Sequence, residues 1–216
     1  MAQWTLTKRA VIDALTDEFL HNYSLGRTLI AVDGYEGSGK AQFADELAER
    51  LGRGSHAVFR ASIDRFHLPR AERYANGDSA DSFYNSSFDY ELFRRVLIEP
   101  FKLGGSTGFV TEAYDVARDA PIMMQWQTAP QDATLIVDGA FLNRPELRGL
   151  WNYSIWLDTD EVVASGRLRA EGGQLSARYP GAQALYLAEA NPRARATAIV
   201  DNTIEDAPRR IFADSC

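Results

Sequence analysis

The stretch GYEGSGKA, Gly34 to Ala41, constrains this chain more than any other eight residues. It follows an apolar, β-branched run, TLIAVD (28–33), and opens an amphipathic one, KAQFADELAERL (40–51), with Phe43, Leu47 and Leu51 at i, i+4 and i+8. A buried strand, a glycine turn and a helix in that order predict a βαβ unit, which needs a parallel sheet and a right-handed crossover. The glycines permit backbone angles that a β-carbon forbids, so successive N–H groups can converge on one anion. The helix that follows adds its N-terminal partial positive charge, and Lys40 can reach phosphate oxygens. All but the last residue fit the phosphate-loop pattern G-x-x-x-x-G-K-[ST]. The last, Ala41, lacks the hydroxyl that normally touches Mg²⁺. The expectation is nucleotide binding through Gly34, Tyr35, Glu36, Gly37, Ser38, Gly39, Lys40 and Ala41. Two outcomes stay open for chemistry: a working site whose metal is held by other groups, or a nucleotide-binding module with weak or no turnover.

The rest of the chain extends the alternation. Val11, Leu15 and Phe19 predict a helix over 5–25, ended at Gly26. HAVFRASID (56–64) reads as a second strand, and ATLIVDG (133–139), NYSIWLD (152–158) and ATAIVDN (196–202) as three more. Residues 88–101 are helical by a Leu92/Phe93/Val96/Leu97 face, with Pro100 near the end. Residues 104–115 and 120–130 flank a polar turn, Val116–Asp119, as a hairpin or pair of edge strands would. Between the last two buried strands lies a mostly helical segment broken at Gly172-Gly173 and Pro180-Gly181. The expected fold is α/β: a doubly wound, mostly parallel sheet of the P-loop NTP hydrolase type, as one domain over 1–216. It carries a hairpin and a small helical segment over roughly 165–190, which the resemblance given below implies to be a substrate-binding hairpin and a lid.

Charge and composition narrow the partners. Formal net charge is −7, with a pI near 5.0, so a phosphate polymer is repelled and nucleic acid is not an expected partner. A small nucleotide needs only a local positive pocket. Apolar runs are too short to span a bilayer, and MAQWTLTKRAVIDAL has no signal-peptide core. A single cysteine, Cys216, permits no internal disulfide and no zinc spacing, and three scattered histidines argue no nucleophile triad. These features predict a cytoplasmic protein with no membrane partner, and leave association between copies open.

Two acids stand at predicted strand ends, Asp64 and Asp138. In a parallel sheet the carboxyl ends of the strands line the ligand crevice, so both are candidates to hold Mg²⁺ or its waters. Asp138 reads equally as a turn cap before Gly139.

With these residues in place, the chain resembles the uridine kinase-like and phosphoribulokinase-like branch of the P-loop kinases from about residue 28 to 205. AVDGYEGSGK is similar to that branch's phosphate loop, SIDRFH (62–67) to its Asp-x-Phe-Tyr/His segment, and SFDYELF (87–93) to its Phe-Asp-x-Pro segment. EAYDVARDA (112–120) resembles the Tyr-Asp substrate hairpin, LIVDGAFL (135–142) the hydrophobic-acid-Gly strand, and WLDTDEVVASGRLR (156–169) a strand leading into an arginine-bearing lid. The resemblance implies ATP-dependent transfer of the γ-phosphoryl, with Mg²⁺, to an alcohol of a nucleoside-, sugar- or pantothenate-like small molecule. It implies Asp64 as base and Lys40 and Arg169 as charge-stabilising catalytic groups. Arg167 and Arg178 would close on the phosphates, and His67, Phe88, Asp89, Tyr114, Asp115 and Arg118 would meet the acceptor. Plainer readings stand beside these: Asp89 as a helix cap, His67 as a structural ring, the arginines as a solvated helix face, and Tyr84, Tyr90, Tyr179 and Tyr186 as packing. Arg118 and Asp119 stand where that branch has a base-reading histidine, so uridine itself is not implied.

Overall fold

A computed structural model describes residues 6–54 and 56–212; Thr5 of the expected first helix and Cys216 lie outside them. In chain order the first elements are α1 (Leu6–Tyr23), β1 (Arg27–Gly34), α2 (Lys40–Gly52) and β2 (Ala57–Ser62). A 3-10 turn (Ile63–Phe66) then leads to α3 (Arg70–Arg73), α4 (Ala80–Ser86) and α5 (Tyr90–Phe93), and a π turn (Arg94–Ile98) joins α5 to α6 (Glu99–Leu103). The short strands β3 (Tyr114–Asp115) and β4 (Ala120–Pro121) precede β5 (Ala133–Asp138) and β6 (Tyr153–Asp158). The chain ends through α7 (Glu161–Ala170), α8 (Tyr179–Ala190), α9 (Pro192–Arg195), β7 (Ala198–Asp201) and β8 (Arg209–Ile211).

The main sheet runs β2-β5-β1-β6-β7-β8. Its first five strands are parallel, and β8 is antiparallel to β7. Strands buried on both faces must be apolar throughout, and all six residues of β5 are buried. Successive side chains take opposite faces. Ile30 and Val32 pack with Phe43, Leu47 and Leu51 of α2 and with Ile12, Leu15 and Phe19 of α1. Leu29 and Ala31 face the other core, with Phe93, Phe101, Phe141 and Tyr186. Burying each such large side chain contributes about 1.5–3 kcal/mol, so α2 is fixed to the sheet by its apolar stripe. Register brings the strand ends level: Asp138 of β5 pairs with Val32 of β1 and with Ser62 of β2.

Three expectations need correcting. The second strand stops at Ser62, so Asp64 sits in the 3-10 turn beyond the strand end, its N–H received by the Ser62 hydroxyl. The hairpin shrinks to a two-residue ladder between β3 and β4 plus one bridge, Phe109 to Gln127. Pro121 and Pro130 donate no ladder bonds, and the glycines of 104–108 order poorly as strand, which accounts for the loss. The helix over 88–101 proves to be α5, the π turn and α6, running to Leu103. Pro100 cannot donate to the carbonyl of Val96, and that oxygen accepts the Val110 N–H at 2.9 Å instead. The strand β8, in a segment given no element from sequence, closes the sheet edge.

Candidate active site

Gly37 and Gly39 carry φ values of +81° and +84°, the left-handed region. A Cβ on Gly37 would lie 2.1 Å from the Ala164 carbonyl oxygen of α7, so only glycine lets the lid approach this closely. The turn closes through Ser38 N–H to the Tyr35 carbonyl at 3.1 Å, and Asn202 Nδ2 grips the Ser38 carbonyl at 2.8 Å. No side chain caps the N-terminus of α2, and its first turn holds no acid. Its N–H groups are therefore available to an anion. Lys40 is buried; its Nζ donates to the Tyr35 carbonyl at 2.8 Å and lies 3.5 Å from Glu36 Oε2.

The loop is also tied from behind by α8. Tyr179 Oη accepts the Glu36 N–H at 2.7 Å. The Tyr186 hydroxyl donates to Asp33, the residue before the loop. Asp33 is wholly buried and also accepts from Asn143 Nδ2 at 2.8 Å and from the Gly34 N–H at 2.8 Å. Burial pushes its carboxyl upward, and the Tyr186, Asn143 and Gly34 donors pull it back. Asp33 is not among the candidates the sequence offers, and both tyrosines read there as packing. They do pack, yet their hydroxyls fix the loop.

Two hollows meet at the loop. One, of about 240 Å³, is lined by Glu36, Gly37, Gly39, Lys40 and Leu168; the other, of about 610 Å³, by Arg60, Arg65, Thr111, Glu112 and Asp115. Ala41, Asp64 and Asp138 line both and form the strip between them. A phosphate chain held by the loop would thus end beside Asp64, with the larger hollow beyond. The Asp64 side chain opens into this cleft at 56% exposure. Its carboxyl is nevertheless pushed up to about 6, first by the protein walls that displace water and then by Glu36 and Asp138, with Lys40 and Arg65 opposing.

The expected acceptor residues divide. Asp115 lines the larger hollow, with Oδ1 turned to the N–H groups of Ala117 and Arg118 at 3.0 and 3.1 Å. Arg118, 84% exposed, projects at the hairpin turn. Tyr114 is buried, donating to Asp119 Oδ1 at 2.7 Å, and Asp89 caps α5 through the Leu92 N–H at 2.8 Å. Phe88 is buried against the His67 ring, 4.6 Å between centroids. His67 Nδ1 donates to the Ser87 carbonyl at 2.9 Å, which leaves Nε2 as an acceptor, 3.9 Å from Asp64 Oδ1. Burial, then Arg73, lowers this imidazole to about 4, so it is neutral at pH 7. Tyr114, Phe88 and Asp89 thus build the wall rather than line the cleft.

The lid arginines also lie apart from the loop. Arg167 donates to the carbonyls of Asn202 at 3.0 Å and Thr203 at 2.6 Å, and lies 3.4 Å from Glu205. Arg178 pairs with Asp78 at 2.9 Å and stacks 4.1 Å from the Tyr74 ring. Arg169 donates to the Ser165 carbonyl at 3.0 Å on a separate hollow beside Gln174 and Leu175. Sequence reasoning missed Arg60, Arg65, Thr111 and Glu112. Arg60 had a signal: a cation inside the otherwise apolar run of a parallel strand is anomalous.

Among the described residues no group of three or more His, Cys, Asp or Glu could cage a metal ion. Mg²⁺ needs less, since it keeps several waters and takes one or two carboxylates with the nucleotide's phosphates. Asp64 and Asp138, facing one strip beside Ala41, fit such a hydrated ion.

Among the described residues no helix is long and apolar enough to cross a membrane. No protein-family model matches the chain, and no curated protein matches it. Solved structures do match. A possible uridine kinase from Bacillus stearothermophilus superposes with a TM-score of 0.73 at 24% identity, covering 88% of this chain and 97% of that one. A protein named for a fructose transport system kinase, from Silicibacter sp. TM1040, gives 0.64 at 26%, covering 89% and 96%. The D-glycerate 3-kinase of Cryptococcus neoformans var. grubii gives 0.52 at 9%, covering 87% of each. In fold, this chain is similar to uridine kinase-like and related P-loop kinases, the branch its motifs resemble.

Proposed function

We propose that the chain is an ATP-dependent kinase that transfers the γ-phosphoryl to an alcohol of a small polar molecule. The observation that carries this reading is the strip of Ala41, Asp64 and Asp138 joining the phosphate loop to a larger hollow. The loop N–H groups and Lys40 bind the nucleotide phosphates and spread the charge that builds on the transferring group. The acceptor oxygen attacks the γ-phosphorus, its proton passes to an Asp64 carboxylate oxygen, and ADP leaves with the bridging oxygen's electron pair. Neutral His67 keeps Nε2 facing Asp64, 3.9 Å away. Asp64 and Asp138 would hold a hydrated Mg²⁺ through its waters, and the ion would offset phosphate charge. Thr111, Glu112, Asp115 and Arg65 give the larger hollow hydrogen-bonding walls suited to a hydroxyl-rich acceptor. The names of the structural neighbours point the same way, to nucleoside-, sugar- and glycerate-type acceptors; pantothenate-like alcohols share this chemistry.

Ala41 favours a second reading, a module that binds nucleotide and transfers nothing. The two part in one assay: ADP release from ATP and Mg²⁺ across a panel of nucleosides, sugars, pantothenate and glycerate. Acceptor-dependent ADP supports the kinase; saturable ATP binding with no acceptor-dependent ADP supports the module.

A further inference from the structure

Arg60 is a charged residue on β2, the half-buried edge strand of the sheet, and every one of its donors is committed. Nε donates to Asp45 of α2 at 2.8 Å, and Nη1 to the carbonyls of Ile136 at 3.0 Å and Ala61 at 3.3 Å. Nη2 donates to Asp138 Oδ1 at 2.9 Å and to the carbonyl of Ala41 at 3.3 Å. A guanidinium has five N–H groups in a fixed fork, so its position is set. The Asp138 side chain is only 7% exposed and that of Arg60 23%, which limits screening of the pair. Asp45, by contrast, is 69% exposed.

The location matters because of Ala41. A loop hydroxyl at that position would give the strand-end acid a neutral neighbour and the metal a direct ligand. Here there is no hydroxyl, and a fixed cation instead bonds both the backbone of Ala41 and the carboxylate of Asp138. The phosphate end of the cleft therefore has one fewer uncompensated negative charge than its carboxylates suggest. Like charge beside an incoming polyanion repels it most where water is scarce.

We propose that Arg60 stands in for the missing loop hydroxyl, holding and neutralising Asp138 so that the site takes nucleotide phosphates with little dependence on a divalent cation. This rests on the nucleotide-binding reading above. Arg60 is a positioning residue: it acts through Asp138 and Ala41. It makes the substitution at the loop and the cation in β2 one compensated pair, where the sequence showed only a fault.

The test is ATP affinity, by calorimetric titration of the full chain, with Mg²⁺ and again with EDTA. Wild-type affinities should differ by less than about tenfold. Arg60→Met exposes Asp138 to the phosphates, so metal-free affinity falls by about tenfold or more while the Mg²⁺-bound affinity falls less, and their ratio rises at least about fivefold. Arg60→Lys keeps the charge and should return the ratio to within about threefold of wild type, which a purely structural tether between β2, β5 and α2 would not predict. A wild-type ratio above about tenfold, or a folded Arg60→Met with the wild-type ratio, overturns the proposal. If Arg60→Met does not fold, the wild-type comparison decides alone. Should wild type bind no ATP under either condition, the kinase reading falls and this inference with it; ATP binding with a large metal effect removes the role of Arg60 only.

Discussion

Replacing Tyr186 with Phe removes one oxygen from the lid and tests how the lid holds the phosphate loop. The ring should stay, since it packs edge-on against Phe141 with centroids 5.1 Å apart. Only the donor to Asp33 is lost, together with an acceptor 3.0 Å from the Asn143 N–H. Asp33 is wholly buried and keeps Asn143 Nδ2, Asn143 N and Gly34 N as donors. A hydrogen bond to a buried charged group contributes about 1.5–3 kcal/mol, so we expect a loss near 2 kcal/mol wherever Asp33 is ionised. For a domain of this size that is a fall of roughly 4–8 °C in Tm. The pH dependence has a definite sign. The folded carboxyl of Asp33 lies above its ordinary value, so its contribution to stability is fully present below the unfolded pKa and is lost as pH rises through the folded one. Removing a donor to the anion raises the folded pKa further. The variant's deficit is therefore largest above the folded pKa and shrinks toward about 1 kcal/mol as Asp33 takes up its proton. Urea unfolding followed against pH measures both. A deficit below about 0.5 kcal/mol at pH 7, or one that grows on acidification, would refute the reasoning.

Other outcomes follow from the same geometry. Gly37→Ala places a Cβ against the Ala164 carbonyl at a left-handed φ, so the loop must shift; ATP affinity by titration should drop at least about tenfold, and an unchanged affinity would mean the loop moves freely from α7. The Asp64 carboxyl must be ionised to take a proton and is pushed up to about 6, so acceptor-dependent kcat/KM should climb roughly tenfold per pH unit below that value and level above it. A flat profile from about pH 5 to 7 would remove Asp64 as the base.

What was legible in the sequence was what is local. The loop, the α2 stripe of Phe43, Leu47 and Leu51, and the five parallel strands follow from spacing and burial along contiguous residues, and each lies within a few residues of its expected place. The meeting of Asp64 and Asp138 beside the loop was also readable, because parallel strands bring their carboxyl ends to one edge. What escaped depends on distant partners. Nothing in the neighbourhood of Tyr186 tells its hydroxyl to seek Asp33, 153 positions away. Arg178 looked like a lid cation and is occupied by Asp78 and Tyr74, which only the packing of α8 on α4 brings near. Tyr114 and Asp119 bond each other within the hairpin, so a pair with the chemistry to bind hydroxyls is spent on the turn. Arg60 was the readable exception, a charge in an apolar strand whose partner was a residue already suspected.

The proposed chemistry is phosphoryl transfer across the strip between the two hollows, with Asp64 receiving the proton. Transfer of γ-labelled phosphate from ATP to acceptors in the panel, by wild type and Asp64→Asn side by side, tests it most directly. We expect a labelled acceptor with wild type and a loss of about 10²–10⁴-fold with Asp64→Asn, at an ATP affinity within a few-fold of wild type. Wild type that binds ATP yet labels nothing, or an Asp64→Asn variant that transfers at the wild-type rate, would contradict it.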